Sequence, residues 1–299
     1  MPVTLQWLGC ATYRLTIGSL VLMLDTFVDR IPSAPDVGVR LGQIRDVDFA
    51  LIGHSHWDHL AGADVVAKNT GARVIASHES ARILRSRGVP EAQLMLAQGG
   101  ERFRLSDEVT VRVFPSLHSC IWARMGNAGV SVTGDLGMTE EDKAARLTSR
   151  RGRRAEDTSQ EGRDLQALLA SVATSDSTGG TLDFLIETPE GTIMFQDSMG
   201  YWTGIYAGLR PDVALLAAAG RGNIDGEPVQ GSMEEFVMRE CDLLRPRQVV
   251  FSHHDNFAGA PGQPDISDIS PVVQMLARVS PHIEVVPVAL GGTATLLQR

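Results

Sequence analysis

Short apolar runs dominate the first hundred positions, and most of them stop at a turn residue. Val3–Leu8 alternates apolar and polar side chains, Tyr13–Ile17 repeats the pattern, and Ser19–Leu24 is a continuous apolar run ending on Asp25. Alternation with period two marks a half-buried strand, and a brief unbroken run marks a fully buried one. Phe49–Ile52 is another such run, closed by Gly53. The spacing from Asp58 to Ala67 is helical, with Asp58 where an N-cap would stand. Arg73–Ala76 reads as a strand, Ser80–Arg87 as a helix, and Val109–Phe114 as an alternating strand stopped by Pro115.

The stretch at about 140–177 carries no strand pattern. It is crowded with charge, including Arg146, Arg150, Arg151, Arg153 and Arg154, and reads as an insertion. A solvated loop is the simplest expectation for it, with a mobile lid or an anion contact as the other reading. Order resumes at Thr181–Glu187, where the turn Pro189-Glu190-Gly191 leads into Thr192–Phe195 and predicts a hairpin that ends in Asp197. Val213–Ala217 and Gln248–Phe251 read as strands, and Met233–Leu244 and Ile269–Val279 as helices. Ile283–Val288 and Thr293–Leu297 close the chain as strands. Both halves have strands first and helices later, which predicts one α/β sandwich of mixed sheets with helices outside.

With 43% hydrophobic residues over 299 positions, the chain can bury a sizeable core in a single domain spanning 1–299. Its apolar runs fall far short of the ~18–20 residues of a membrane span, so none is expected. The N-terminal residues lack a cationic segment followed by a long apolar one, which makes a cytoplasmic location the default expectation. Acidic residues outnumber basic ones by 36 to 27, for a net charge of −9. That balance disfavours nucleic acid as a partner and favours a small-molecule substrate. Oligomeric state is not legible. Cys10, Cys120 and Cys241 are too scattered for a disulfide framework or a paired metal motif, and are expected as small buried residues.

Of eight histidines, six fall in three places: His54, His56 and His59 in HSHWDH, His118 in PSLHS, and His253 with His254 in FSHHDN. Each place follows a predicted strand, so the loops can bring these side chains into one cleft. His78 and His282 stand alone and are expected on the surface. Packing gives no reason to collect groups that are costly to bury and that repel one another when protonated. A metal does, because neutral imidazole and carboxylate are ligands of Zn²⁺ and related ions. The set exceeds what one ion needs, which points to two divalent metal ions, Zn²⁺ first, with Mn²⁺ or Fe²⁺ suited to the same ligands.

The HxHxDH pattern after an apolar strand, followed downstream by one histidine, one aspartate and one last histidine, resembles the metallo-β-lactamase superfamily. The resemblance runs from Leu5-Gln6-Trp7-Leu8-Gly9 to Gly291-Gly292-Thr293. It is most similar to the branch holding ascorbate-6-phosphate lactonase and N-acyl-phosphatidylethanolamine phospholipase D type enzymes, although Cys10 stands where that branch usually has a histidine. It implies a four-layer αββα fold, with His54, His56 and His118 holding the first metal, Asp58, His59 and His253 the second, and Asp197 bridging. Asp135, also at a strand end, rivals Asp197, and His254 rivals His253. If His253 is the ligand, His254 is expected to back it or to face the substrate, in a catalytic role. Asp25 is expected to fix an imidazole, and Asp255 is a weaker choice for that role.

Two cations ~3.5–4 Å apart share a water and lower its pKa, which predicts a hydrolase in which the bridging hydroxide attacks an ester-like bond, a lactone or acyl ester ahead of a phosphodiester. Asp58 is expected to orient that hydroxide as well as bind metal. Arg221, Tyr201 and Trp202 are the expected substrate-binding residues. The other readings are a phosphodiesterase or nuclease, a di-iron redox protein, and a non-catalytic scaffold.

Overall fold

Alternation along the strands decides what each layer buries. The computed structural model describes residues 2–298, so Met1 and Arg299, the ends of the expected domain, lie outside the described residues. In Leu20–Leu24, Leu22 and Leu24 face one side while Val21 and Met23 face the other, and both sides are covered. Leu182–Thr188 behaves alike, with Phe184 and Ile186 opposite Leu185. Strands buried on both faces require four layers.

Among the described residues the strands form two seven-stranded sheets and a small three-stranded one of Gly200–Tyr201, Asn223–Ile224 and Glu227–Pro228. The first runs Thr293–Leu297, Val3–Trp7, Tyr13–Ile17, Leu20–Leu24, Phe49–Leu51, Arg73–Ala76, Leu94–Leu96. The second runs Glu284–Val285, Gln248–Ser252, Val213–Ala217, Gly191–Phe195, Leu182–Thr188, Thr110–Pro115, Arg102–Arg104. Each sheet is antiparallel in one part and parallel in the other, so both are mixed. Their facing sides share one apolar cluster, which includes Leu15, Leu22, Phe184 and Phe195. Helices Ala63–Thr70 and His78–Ser86 cover the outside of the first sheet, and Met233–Leu244 and Ser270–Val279 cover the second. This is the αββα sandwich of the metallo-β-lactamase fold. Each fully buried Leu, Ile or Phe contributes about 1.5–3 kcal/mol, so these layers stabilise the scaffold on which the loops stand. No helix among the described residues is long and apolar enough to cross a membrane.

Two local expectations are corrected. The helix expected over Asp58–Ala67 is broken into Trp57–Leu60 and Ala63–Thr70 by Gly62, whose φ of +92° suits glycine and where a Cβ would come 2.6 Å from the Thr26 carbonyl oxygen. His56, not Asp58, holds the N-cap position, so the Asp58 side chain is not consumed in capping. The segment at 140–177 is not an irregular loop. Helix Glu140–Ala155 begins with a capping box between Thr139 and Asp142, and Gln160–Ser171 is capped by Ser159. Leu165, Leu168 and Leu169 of the second helix pack on Phe27, Trp57 and Cys10, which docks the pair beside the strand ends.

Candidate metal centre

The chemistry gathers where strands end. His54 lies three residues past Phe49–Leu51, His118 three past Thr110–Pro115, Asp197 two past Gly191–Phe195, and His253 directly after Gln248–Ser252. Close approach is built into the chain at Gly53, where a Cβ would fall 1.9 Å from Asp197 Oδ2. Any side chain at Gly53 would expel that carboxylate.

Two donor clusters result. In the first, His56 Nδ1 is 3.1 Å from His54 Nε2 and 3.2 Å from His118 Nε2. In the second, His253 Nε2 is 3.3 Å from His59 Nε2, and Asp58 Oδ2 is 3.6 Å from each of those nitrogens. Nitrogen and oxygen donors about 2.0–2.2 Å from a four-coordinate zinc lie about 3.3–3.6 Å from one another, so both clusters are close to the spacing a metal needs. Asp197 touches one ring of each, its Oδ2 2.5 Å from His54 Nδ1 and 3.5 Å from His59 Nδ1, the nitrogens that do not join either cluster, while its buried Oδ1 has no hydrogen-bond partner. Buried polar atoms are rarely left bare, and a carboxyl oxygen beside two donor clusters suits a cation.

Two of the nitrogens that face away are fixed, those of His59 and His118, whereas His253 Nδ1 is buried without a hydrogen-bond partner. Asp25, at φ +52°, accepts from His59 Nδ1 at 2.7 Å and from the Gly53 N–H at 2.9 Å. His118 Nδ1 donates to the Ser119 carbonyl at 2.7 Å. Such partners set tautomer and ring orientation, leaving one nitrogen of each ring for the ion.

Electrostatics agree with ligand chemistry at four of the five imidazoles. Burial holds the His54 imidazole well below its ordinary range, and burial chiefly pushes His56 to about 4, His118 to about 3 and His253 to about 4. These rings are therefore neutral at pH 7, the form that binds metal. Burial also opposes a charge on His59, but Asp58 and Asp25 outweigh it and raise the imidazole to about 9. Burial resists ionisation of Asp58 and is outweighed by His59, His253 and His56, which hold the carboxyl below its usual range.

The clusters form the floor of a cavity of about 710 Å³, reached by His56, Asp58, His118 and His253. Trp57, Ile121, Met125, Leu147, Leu169 and Phe257 supply apolar wall. Arg150, Arg151 and Arg154 reach the cavity from the helix Glu140–Ala155.

Several expected residues lie elsewhere. Arg221, 2% exposed, is turned away from the cavity and donates to the carbonyls of Val229, Val132, Gly134 and Arg124 and to Asp135, because the loops there offer it a ring of acceptors. Tyr201 is buried and stacks on Tyr206 at 4.8 Å, while Trp202 sits exposed at the start of a short helix, so neither lines the cavity. His254 stacks on Trp7 at 4.8 Å and is not a cavity residue, since the left-handed turn at His253 (φ +64°) sends the two rings apart. Asp135 binds Arg146 and Arg221 outside both clusters. Asp255 accepts from the Cys10 N–H and pairs with Arg30, so it orients backbone rather than an imidazole. His78 and His282 are exposed.

Sequence reasoning missed two features. Cys10 is buried as expected, but its Sγ lies within 4.8 Å of the ligand atoms of Asp58, His59 and His253. The departure from histidine at that position was the available signal. The cavity-facing arginines were visible only as a charge run, and their placement depended on reading the Thr139 and Ser159 caps.

Residues 22–148 match a family model described as a beta-lactamase superfamily domain. A metal-dependent hydrolase of Pyrobaculum islandicum is 25% identical over 93% of this chain and 95% of its own length. Among solved structures, a metallo hydrolase from Ignicoccus hospitalis superposes with a TM-score of 0.63 over the full length of both chains at 17% identity. An isothiocyanate hydrolase from Delia radicum gut bacteria gives a TM-score of 0.56 at 13% identity, covering 98% of this chain and 99% of its own. None of these relatives singles out the lactonase or phospholipase D branch. The donor clusters, the metallo-β-lactamase fold and the matched domain together support a metal-dependent hydrolase.

Proposed function

We propose that the chain is a dinuclear metal-dependent hydrolase that cleaves an ester-like bond, a lactone or acyl ester, in a small substrate with an apolar body and an anionic group. The observation that carries this reading is the pair of donor clusters on the floor of a single cavity, with the Asp197 carboxyl against one imidazole of each. His54, His56 and His118 would hold one ion and Asp58, His59 and His253 the other, with zinc suited to this nitrogen-rich set. Bound there, the ions supply Lewis acidity and a water of lowered pKa.

The chain's own residues do the rest. Asp58 faces the cavity in its ionised form and can accept a hydrogen bond from the attacking water, orienting its lone pair. Trp57, Leu147, Leu169 and Phe257 cover apolar substrate and exclude bulk water. Arg151 is paired with Asp176, and Arg146 with Asp135. Arg150 and Arg154 have no carboxylate partner among the described residues, although they stand one turn apart on one helix face. Two like charges so placed repel, and an anion between them relieves this. They take the substrate role expected of Arg221.

Replacing Arg150 and Arg154 together by methionine is expected to raise KM about 10–100-fold for a carboxylate-bearing ester while leaving a neutral ester of the same length within about twofold, since a charge-assisted hydrogen bond contributes about 1.5–3 kcal/mol. Equal losses on both esters would contradict the assignment. The arginines also suit a phosphodiester, which is the second reading. A panel of lactones, esters and aryl phosphodiesters, run with and without chelator, tests the proposed function and ranks the two.

A further inference from the structure

The thiol of Cys10 sits in an unusual place for a structural cysteine. Cys241 is packed among Tyr206, Phe236, Leu244 and other apolar side chains of the outer helical layer. Cys10 shares a small apolar cluster with Phe27, Trp57 and Ala61, against which Leu165, Leu168 and Leu169 pack. Its Sγ also joins Asp58, His59 and His253, with all four ligand atoms within 4.8 Å of one another.

Its backbone is held in place from three directions. The Cys10 N–H donates to Asp255 Oδ1 at 2.8 Å, and its carbonyl accepts from the His253 N–H at 2.8 Å and from Trp7 Nε1 at 2.9 Å. Asp255 is itself held by Arg30 at 2.5 Å. The residue adopts φ +47°, a left-handed conformation that a cysteine rarely takes and that the three bonds sustain. The hydrogen bond to His253 ties the thiol's position to a ligand of the second cluster. Strain of this kind persists where the surroundings over-determine it, and here they direct a soft donor at three hard and borderline ones.

We propose that Cys10 is a thiolate ligand of the second metal position, alongside Asp58, His59 and His253. The inference rests on the metal-centre reading above. Ligation breaks the S–H bond, the proton leaves to solvent, and the sulfur lone pair forms the bond to the cation; no oxidation state changes. A thiolate donor shifts that position's preference towards zinc and away from manganese, which favours oxygen ligands.

The test is cobalt substitution of the full chain, read by absorption rather than turnover. The expected result is uptake of two equivalents of Co²⁺ with a near-ultraviolet thiolate-to-cobalt charge-transfer band, retained in a Cys120→Ala/Cys241→Ala variant and lost in Cys10→Ser. Cys10→Ser is further expected to weaken the second equivalent at least about tenfold. Should a variant fail to fold, zinc-edge absorption fine structure of the native chain decides the matter, with a sulfur shell expected at about 2.3 Å. Two bound equivalents without the band, or a zinc spectrum without sulfur, overturn the ligand role of Cys10 and leave the metal centre standing. Failure to bind cobalt or zinc at all overturns both.

Discussion

Exchange of His56 or Asp58 for alanine is expected to reduce turnover by roughly 10³-fold or more while leaving the fold in place. The two residues belong to different donor clusters, so each substitution disables one metal position without touching the ligands of the other. Both sit on the loop and short helix after Phe49–Leu51, partly open to the cavity, and neither takes part in the apolar layers. Loss of either side chain therefore removes chemistry and little packing. The check is turnover on the responsive substrate together with circular dichroism and thermal unfolding. Near-native activity in either variant would count against the site. Asp197→Ala should behave differently, because it strips the partner from buried His54 Nδ1 and is expected to lower stability as well as activity.

Metal removal is expected to abolish activity and also to lower the melting temperature by about 11–22 °C. The centre concentrates three carboxylates, Asp25, Asp58 and Asp197, with five imidazoles at the strand ends. Burial raises Asp197 well above the ordinary carboxyl range and raises Asp25 as well, so without a cation these groups are costly to keep ionised. An ion that binds only the folded state stabilises it by about 2.7 kcal/mol at a hundredfold excess over Kd, and each kcal/mol shifts the melting temperature of a domain of this size by about 2–4 °C. Two sites give the stated range. Differential scanning fluorimetry with chelator, then with zinc restored, measures it. An unchanged melting temperature accompanied by lost activity would mean that the ions contribute chemistry alone.

How far the fold and the centre could be read along the chain follows from what each signal encodes. Strand alternation and short unbroken apolar runs report burial of faces, so Tyr13–Ile17, Val213–Ala217 and the Thr181–Phe195 hairpin were legible, and with them the strand ends where His54, His118, Asp197 and His253 stand. The helix Glu140–Ala155 buries no residue, so it has no apolar stripe to read, and only its Thr139 cap marks it. Side-chain direction after a turn is a tertiary property. Arg221 follows the cavity residue Gly220 and still points into a ring of carbonyls, and Tyr201 lies four residues past Asp197 yet packs on Tyr206 and Phe236. Nearness in sequence to a ligand said nothing about which face of the loop each residue would take. Cys10 was hidden for the opposite reason, since its distance of more than forty residues from Asp58 is closed only by pairing of the first sheet and by the loop after Gln248–Ser252.

Anomalous diffraction at the zinc edge from crystals of the chain purified without chelator, with metal content measured on the same sample, tests the central claim most directly. The account predicts two scatterers, one among His54, His56 and His118 and one among Asp58, His59 and His253, with Asp197 between. A metal-free sample that retains hydrolytic activity, or a scatterer bound away from both clusters, would contradict it.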